Sequence, residues 1–467
     1  MTGPTDASQA DGTRRRASEV ALYGLTPPVE QAILSAVDAG RPNQIRGLIR
    51  PLHPADVADL LSRLDTEQRR VVIEAIKARF DPEILPYLDE SVREDVFDVM
   101  GARDVAAALA ELDSDDVVDF VTDLDEDERK LLLEAVPPAE RVVLEQGLTF
   151  PDSSAGRLMQ REVVAVPTHW TVGQTIDFMR TDQELPESFQ EIYVVSAGNR
   201  LDGVVPLARL LRSKRPVRVA DIMSAEMRPV PPTTDQEEVA QMFRRYGLVS
   251  TPVVDESGQL LGRITVDDVV DVIDEEAEED LLKLGGVSES DISSSLLETA
   301  RSRFVWLLVN LVTAFIAASV IAMFADTIAQ VVALAVLAPI VASMGGNAGT
   351  QSLTVAVRAL AMREIGRTNA LRVIVKEVAL GIINGAIFGL AVGLVAWAWF
   401  GKPMIGVVIG LALILNLMAA GLAGMTIPLI LERLGVDPAV ASGVFLTTVT
   451  DVVGFFTFLG LATWLIL

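Results

Sequence analysis

Five long apolar stretches close the chain, at about 304–324, 328–357, 371–399, 404–431 and 438–466. At about 1.5 Å of rise per residue, each is long enough to cross ~30 Å of hydrocarbon as a helix. Lipid offers no partners to a peptide group, so this part of the chain must pair its backbone internally. The fifth stretch carries one carboxylate, Asp451, within Leu446-Thr-Thr-Val-Thr-Asp-Val-Val-Gly454. An acidic side chain at that depth is costly and is usually retained for an ion or proton path. Directly before the first stretch, residues 267–280 place nine Asp or Glu in fourteen positions with no basic residue among them. A carboxylate in the membrane and a carboxylate cluster beside it suggest a cation path with a cation sensor attached.

Basic residues give the orientation. Arg301 and Arg303 precede the first stretch, Arg358, Arg363, Arg367, Arg372 and Lys376 fill the second connection, and Arg433 lies in the fourth. The connections around Asp326 and Lys402 are nearly bare. Positive charge stays on the cytosolic side, which predicts a plasma-membrane protein with its N-terminal part in the cytoplasm and its C-terminus outside. Within the second stretch, Pro339-Ile-Val-Ala-Ser-Met-Gly-Gly-Asn-Ala-Gly-Thr-Gln351 is a poor face for lipid. Its glycines and polar side chains predict a broken backbone that lines a pore, with freed carbonyls and the amides of Asn347 and Gln351 offered to a hydrated cation. Helix packing on small residues is the structural alternative.

Charge divides the chain. Residues 301–467 hold nine basic and six acidic side chains; with −25 for the whole chain, the first 300 residues sum to −28. That excess argues against nucleic acid or anionic lipid headgroups as partners of the N-terminal part and favours cations or basic surfaces. There is no cysteine, hence no disulfide framework or thiolate metal site. Two histidines, His53 and His169, lie in different regions, which excludes a zinc site of the usual kind. Residues 1–24 are polar and small, with a triple arginine at 14–16, and read as a disordered tail without a cleavable signal.

Residues 25–150 read as short amphipathic helices. Apolar pairs ending in Leu-Asp recur at Leu64-Asp65, Leu88-Asp89, Leu112-Asp113 and Leu124-Asp125, each followed by an acidic helix start. Such recurrence marks stacked helical hairpins, and most of the carboxylates sit where helix N-termini favour negative charge. Residues 151–266 contain a second repeat. Leu158-Met159 with Val163–Pro167 is answered by Ile222-Met223 with Arg228–Pro232, and Ile192–Val195 with Gly203–Val205 is answered by Thr251–Asp255 with Gly262–Thr265. Each half predicts strand, helix, paired strands and helix. The arrangement resembles a tandem pair of CBS domains, modules that often bind adenine nucleotides. The second copy keeps that family's Thr-x-x-Asp as Thr265 and Asp268, which the resemblance implies for a ribose contact; the first has Arg209 where the Asp is expected. From Thr265 to about Gly285 the pattern is helical, with Val269, Val270, Ile273, Ala277 and Leu281 on one side. Asp267, Asp271, Asp274, Glu275 and Glu278 form a second stripe. Like charges at that spacing cost a few tenths of a kcal/mol per pair, roughly, which bound cations offset. Oxygen ligands select Mg²⁺ or Ca²⁺, and no EF-hand spacing is present.

The run from Pro339 to Gln351, then Arg358-Ala-Leu-Ala361 and Thr447–Asp451, together with this order of parts, resembles the MgtE family of magnesium channels. The resemblance implies a multidomain chain: tail 1–24, an all-α helical-repeat domain 25–150, an α/β tandem CBS pair 151–266, a linking (plug) helix 267–298, and a five-helix transmembrane domain 299–467. It implies a homodimer in lipid, with Mg²⁺ as the permeating ion at the dimer interface and cytosolic Mg²⁺ closing the path. Carried over by position, Asp451 is the pore carboxylate, with Asn347, Thr350, Gln351 and the Gly345–Gly346 backbone nearby. The implied sensing residues are Glu83, Asp115, Asp116, Asp119, Asp235, Glu237, Asp268, Asp271, Glu276, Glu279 and Asp280. Arg209 and Gly247 stand where relatives carry acids, and Leu248 where an aromatic stacks on adenine, so ATP or another adenine nucleotide is expected to bind weakly. No Walker loop, nucleophile–base pair or metal triad points to an enzyme. An inside-negative potential supplies ~4.6 kcal/mol per 100 mV to an entering divalent cation, so import needs no hydrolysis. Two other readings stand beside this one: a proton- or sodium-coupled exchanger with Asp451 as protonation site, and an adenylate-sensing receptor with a membrane anchor.

Overall fold

The computed structural model describes residues 25–181, 185, 186, 188–287, 296–366 and 368–467. The expected tail, Arg367 and residues 288–295 of the linking segment lie outside the described residues. The chain divides into two compact units, one ending at Ile273 and one running from Asp274 to Leu467.

The first unit opens with short helices α1 (Pro27–Asp38), α2 (Pro42–Ile49), α3 (Pro54–Arg63) and α4 (Thr66–Ile76). After 3₁₀ turns at Lys77–Arg79 and Pro82–Tyr87 come α5 (Glu90–Met100), α6 (Ala102–Leu109), α7 (Ser114–Asp123), α8 (Glu126–Ala135) and α9 (Pro138–Gly147). One apolar core runs through all of them, from Leu25 to Leu144. Asp65 and Asp125 cap as the repeat predicts: their Oδ1 atoms accept from the backbone N–H of Gln68 (2.8 Å) and Glu128 (2.7 Å). Asp89 and Asp113 hold the same N-cap position with extended backbone but make no capping bond.

A further device closes three of the four repeats. Arg69 Nε donates to Leu61 O (2.9 Å), Arg93 Nε to Leu88 O (2.8 Å) and Arg129 Nε to Val121 O (3.1 Å). Each guanidinium thus satisfies carbonyls at the end of the preceding helical segment, groups that a helix C-terminus leaves without partners.

The CBS pair follows with strands β1 (Ala165–Pro167), β2 (Glu191–Ser196) and β3 (Arg200–Pro206), and helices α10 (Val172–Thr181) and α11 (Leu207–Arg212). β1 runs parallel to β2, and β2 antiparallel to β3. The second copy has α12 (Gln236–Tyr246) and the antiparallel pair β4 (Ser250–Val254) and β5 (Leu260–Thr265), with Val230 bridging in parallel to Val253. Val166, Ile192, Val194 and Val205 form the core of the first copy, and Val239, Phe243, Val253 and Ile264 that of the second.

Helix α13 (Val266–Gly285) is the acidic connector, and the division between units falls inside it. It ends where Gly286 adopts φ +71°, a conformation that favours glycine, so the linking helix does not run unbroken to residue 298. The second unit continues with α14 (Leu296–Met323), α15 (Ala325–Gln330), α16 (Ala333–Ala361), α17 (Ala370–Phe400), α18 (Pro403–Arg433) and α19 (Pro438–Ile466). Five of these helices are long and apolar enough to cross a membrane. The second span starts at Ala333 rather than 328, because α15 and a break at Val331 and Val332 precede it.

The expected broken backbone at 345–351 is not found. α16 is continuous through Gly345 and Gly346, so the carbonyls there stay in the helical ladder. Its glycines serve close approach instead. A Cβ at Gly349 would lie 2.9 Å from Leu446, and one at Gly424 would lie 2.8 Å from Gly349 O. The same device joins α17 to α18: added Cβ atoms at Gly389 and Gly393 would meet the carbonyls of Gly410 and Gly406 at 2.6 and 2.7 Å. Close backbone contact of this kind is how helices gain packing energy where lipid competes for apolar surface.

Candidate functional site

The start of α7 carries the first group of candidate ligands into the first unit. Asp115 is buried, and its Oδ1 has no hydrogen-bond partner among the described residues. Its side chain shares a hydrogen bond with Asp268 of α13. Asp268 also accepts from Thr265 Oγ1 at 2.6 Å. Two carboxyl groups in hydrogen-bonding contact must hold a proton between them or receive a cation. Burial and the neighbouring Asp268 raise Asp115 well above the ordinary carboxylate range. Burial, then Asp268, pushes Asp116 up to about 7. Burial also raises Asp268 to about 6, against the opposing bond from Thr265. Glu83 adds to the field on Asp116, and Asp271, Glu83, Asp116 and Asp267 add to that on Tyr87, whose phenol is raised first by burial. Asp115, Asp116 and Asp268 therefore form one acidic cluster, with Glu83 acting on Asp116 and both Glu83 and Asp271 acting on the adjoining Tyr87.

α7 is held there by polar contacts to the CBS segment. Ser114 Oγ donates to Glu162 Oε2 (2.9 Å) and accepts from Arg161 N (2.8 Å), and Arg157 Nη1 donates to Thr122 Oγ1 (2.8 Å). Asp119, expected as a ligand, is already engaged: Arg93 Nη2 lies 2.7 Å from its Oδ2 while Arg93 Nη1 lies 2.6 Å from Asp123. Asp235 caps α12 by accepting from Glu237 N (2.9 Å), and Glu237 Oε1 accepts from Gln241 Nε2 (3.0 Å). Among the described residues no three His, Cys, Asp or Glu side chains converge as direct metal ligands. The cluster instead suits Mg²⁺ that keeps most of its water and is held through that shell.

Gly247 has a structural role. It sits at φ 61°, ψ 44° as the C-cap of α12, and Leu248 N donates to Phe243 O at 3.1 Å. Leu248 packs on the core of the second CBS copy. Arg209 Nη1 donates to Ile222 O (3.0 Å).

In the second unit, Glu279 forms an ion pair with Lys283, whose Nζ also donates to Asp437 Oδ2 at 2.9 Å. Asp437 Oδ1 accepts from Ala439 N (2.8 Å) and so caps α19. Burial and the Asp437 carboxylate raise Asp280 above the ordinary range. Glu276 lies one turn before Asp280 on the same helix.

Ser343, Asn347, Thr350, Gln351 and Thr354 form one exposed polar stripe on α16, opposite Val341, Gly345, Gly349, Ser352 and Ala356, which are buried. Asn347 and Gln351 make no hydrogen bond among the described residues, while Thr350 Oγ1 donates to Gly346 O (3.0 Å). Gly349 meets Leu446, and Gly345 and Gly454 meet the same side chain of α18. These contacts bracket Asp451 at the depth of Asn347. Asp451 is half-buried and makes no ion pair or hydrogen bond among the described residues.

The comparisons agree with this architecture. The family described as divalent cation transporter, MgtE, matches residues 338–461; the MgtE intracellular N domain matches 52–153, and CBS domains match 155–215 and 219–275. The magnesium transporter MgtE of Bacillus subtilis is 32% identical over 426 residues, covering 91% of this chain and 94% of its own. That of Thermus thermophilus is 34% identical over 444 residues, covering 93% and 98%. The chain belongs to the MgtE family. The MgtE of Enterococcus faecalis is 37% identical over 316 residues, 68% of this chain and 70% of its own. A solved structure described as the cytosolic domain of the Mg²⁺ channel MgtE in complex with ATP is 32% identical, covers 52% of this chain and 99% of that one, and has a TM-score of 0.48.

Three features of this MgtE chain escape sequence reasoning. The arginines sit five residues after each Leu in Leu64-Asp65, Leu88-Asp89 and Leu124-Asp125, a signal inside the repeat itself. Glu377 of α17 is a second carboxylate within a span; it is buried and accepts from Ser352 Oγ at 2.9 Å. Asn416 of α18 is fully buried. Asn416 is an isolated polar residue in an apolar run, and that isolation is a signal that could have found it, whereas Glu377 directly follows Lys376 and reads as part of the charged start of its span.

Proposed function

We propose that this chain is a passive, inward Mg²⁺ path, working as a homodimer in the plasma membrane and closed by cytosolic Mg²⁺. One observation carries it: Asp451, Asn347 and Gln351 lie within apolar spans with no partner among the described residues, at one depth for Asp451 and Asn347. A carboxylate and neutral amides left unsatisfied in this way suit a hydrated divalent cation. Two copies facing each other across a dimer axis would double the charge that meets the ion. The basic connections put the soluble domains in the cytoplasm and the C-terminus outside.

Sensing is assigned to the acidic cluster of Asp115, Asp116 and Asp268 with Glu83 and Asp271, and to Glu276, Glu279 and Asp280 of the connector, with Asp119 recruited only when it leaves Arg93. Asp235 and Glu237 keep a lesser part, as capping and hydrogen-bonded groups. Cytosolic cations close the path by binding the closed state more tightly than the open one, as linkage requires. An adenine nucleotide at Thr265 and Asp268 has to compete with the bonds that Asp268 makes to Thr265 and Asp115.

The test is flux through the full-length protein in liposomes, with Mg²⁺ varied on the cytosolic side only. Flux should fall as cytosolic Mg²⁺ rises, and Asp451→Ala should abolish it while leaving a folded protein. Full Mg²⁺ uptake by Asp451→Ala would remove the pore assignment. Flux that follows pH and ignores Mg²⁺ would replace this reading with the coupled exchanger.

A further inference from the structure

Asn416 lies near the middle of α18 with 0% of its surface exposed, in a helix whose neighbouring residues are apolar or small. Its Nδ2 donates to Val341 O of α16 at 2.8 Å, and its Oδ1 has no partner among the described residues. Two glycines make room for it. A Cβ on Gly345 would overlap Nδ2, and a Cβ on Gly454 of α19 would lie 2.7 Å from the same atom. One amide therefore touches α16 two residues before Asn347 and α19 three residues after Asp451.

An amide with an unsatisfied carbonyl is an expensive filler for an apolar interior, where leucine would pack without that cost. The bond it makes is also specific in place. Pro339 has no N–H, so the ladder of α16 lacks the rung to Ala335 O, one turn before Val341. The Asn416 amide adds a second donor at Val341 O, which ties α16 to α18 one turn beyond that gap and directly ahead of Gly345, Gly346 and Asn347.

We infer that Asn416 is a positioning residue of the ion path: it fixes α16 and α19 against each other so that Asn347 and Asp451 keep a set separation. The inference rests on the pore reading given above. It assigns no contact between Asn416 and the ion. Its effect is on how well the site is shaped for Mg²⁺, so apparent affinity should change more than maximal rate.

The experiment measures Mg²⁺ uptake by the full-length protein in liposomes as external Mg²⁺ is varied. Asn416→Leu should raise the half-saturating Mg²⁺ concentration about tenfold, the scale of one lost hydrogen bond, with a smaller change in maximal rate. Asn416→Ala, which only removes atoms, gives the same readout where leucine is not accommodated. Gly345→Ala should be impaired by crowding, and the pair Asn416→Ala with Gly345→Ala should relieve the crowding yet keep the raised half-saturation. A return of that pair to wild-type half-saturation would show that Asn416 only fills space and would overturn the inference, as would wild-type behaviour of Asn416→Leu. Asp451→Ala run alongside separates the two ideas. If it is silent while Asn416→Leu behaves as wild type, only the positioning role falls; if it transports, the pore reading falls first.

Discussion

Asp115, Asp116 and Asp268 set the most testable residue-scale property of the chain. All three have carboxyl groups raised first by burial; Asp268 further raises Asp115 and Asp116, which stands at about 7, and Asp267 further raises Asp268, which stands at about 6. A carboxyl raised in the folded state binds its proton more tightly there than in the open or unfolded chain. Its contribution is fully present below the ordinary carboxylate value and is lost as pH rises through the raised one. Without divalent cations, the contact of α7 with the CBS segment should weaken between pH 5 and pH 8 by roughly a few kcal/mol in sum, because each tenfold change in proton affinity is worth ~1.4 kcal/mol. Limited proteolysis of the full-length protein reads this: cleavage between α9 and β1 should rise with pH and fall again when Mg²⁺ is added at pH 8. Asp115→Asn should flatten both responses, since it removes the buried charge. Equal protection at both pH values in wild type would mean that the cluster does not govern this contact.

At the scale of elements, the repeat explains both what the sequence makes legible and what it hides. Leu-Asp recurrence is enough to place the helical starts, because an Asp N-cap acts within three residues of itself. Arg69, Arg93 and Arg129 reach carbonyls five to eight residues back, and the first two also reach carboxylates 26 to 30 residues ahead, at Asp95 for Arg69 and Asp119 and Asp123 for Arg93. Those partners are fixed by packing, which a local pattern does not encode. The unit beginning Leu112-Asp113 has Val117 in place of the arginine, and there Asp115 turns inward. The sensor candidate sits where the repeat drops its internal cation. Arg129→Ala should cost about 3 kcal/mol, since it strips carbonyls at Val121, Thr122 and Leu124 of a charged donor. Hydrogen exchange in the full-length protein should show that loss over α7 and α8 and leave the membrane helices unchanged. In the membrane, the spans are readable from hydropathy alone. The glycines of α16 are not, because small residues accompany a broken helix and a tightly packed one alike. Which of the two applies depends on Leu446, Gly424 and Asn416, all more than 60 positions away.

For the whole molecule, α13 is the connection that matters, since candidate sensing residues lie on both sides of the division at Ile273. Asp268 and Asp271 belong to the first unit, and Glu276, Glu279 and Asp280 to the second. Lys283 is the sole basic residue of this helix, and it holds Asp437, the cap of the helix that carries Asp451. Burial works against the charge on Lys283, but its bonds to Glu279 and Asp437 push its pKa up, so it stays protonated. Asp437 thus has two separable duties. Asn caps a helix about as well as Asp. Asp437→Asn should therefore preserve α19 and uptake at low cytosolic Mg²⁺, while losing the ion pair that couples connector to pore helix. The pair is partly exposed and worth at most ~1 kcal/mol, so the closing Mg²⁺ concentration should shift by up to about fivefold. Asp437→Ala removes the cap as well and should also lower the melting temperature. If Asp437→Asn closes at the wild-type concentration, the connector reaches the pore through apolar packing, and the charge on Lys283 serves only the acidic face of its own helix.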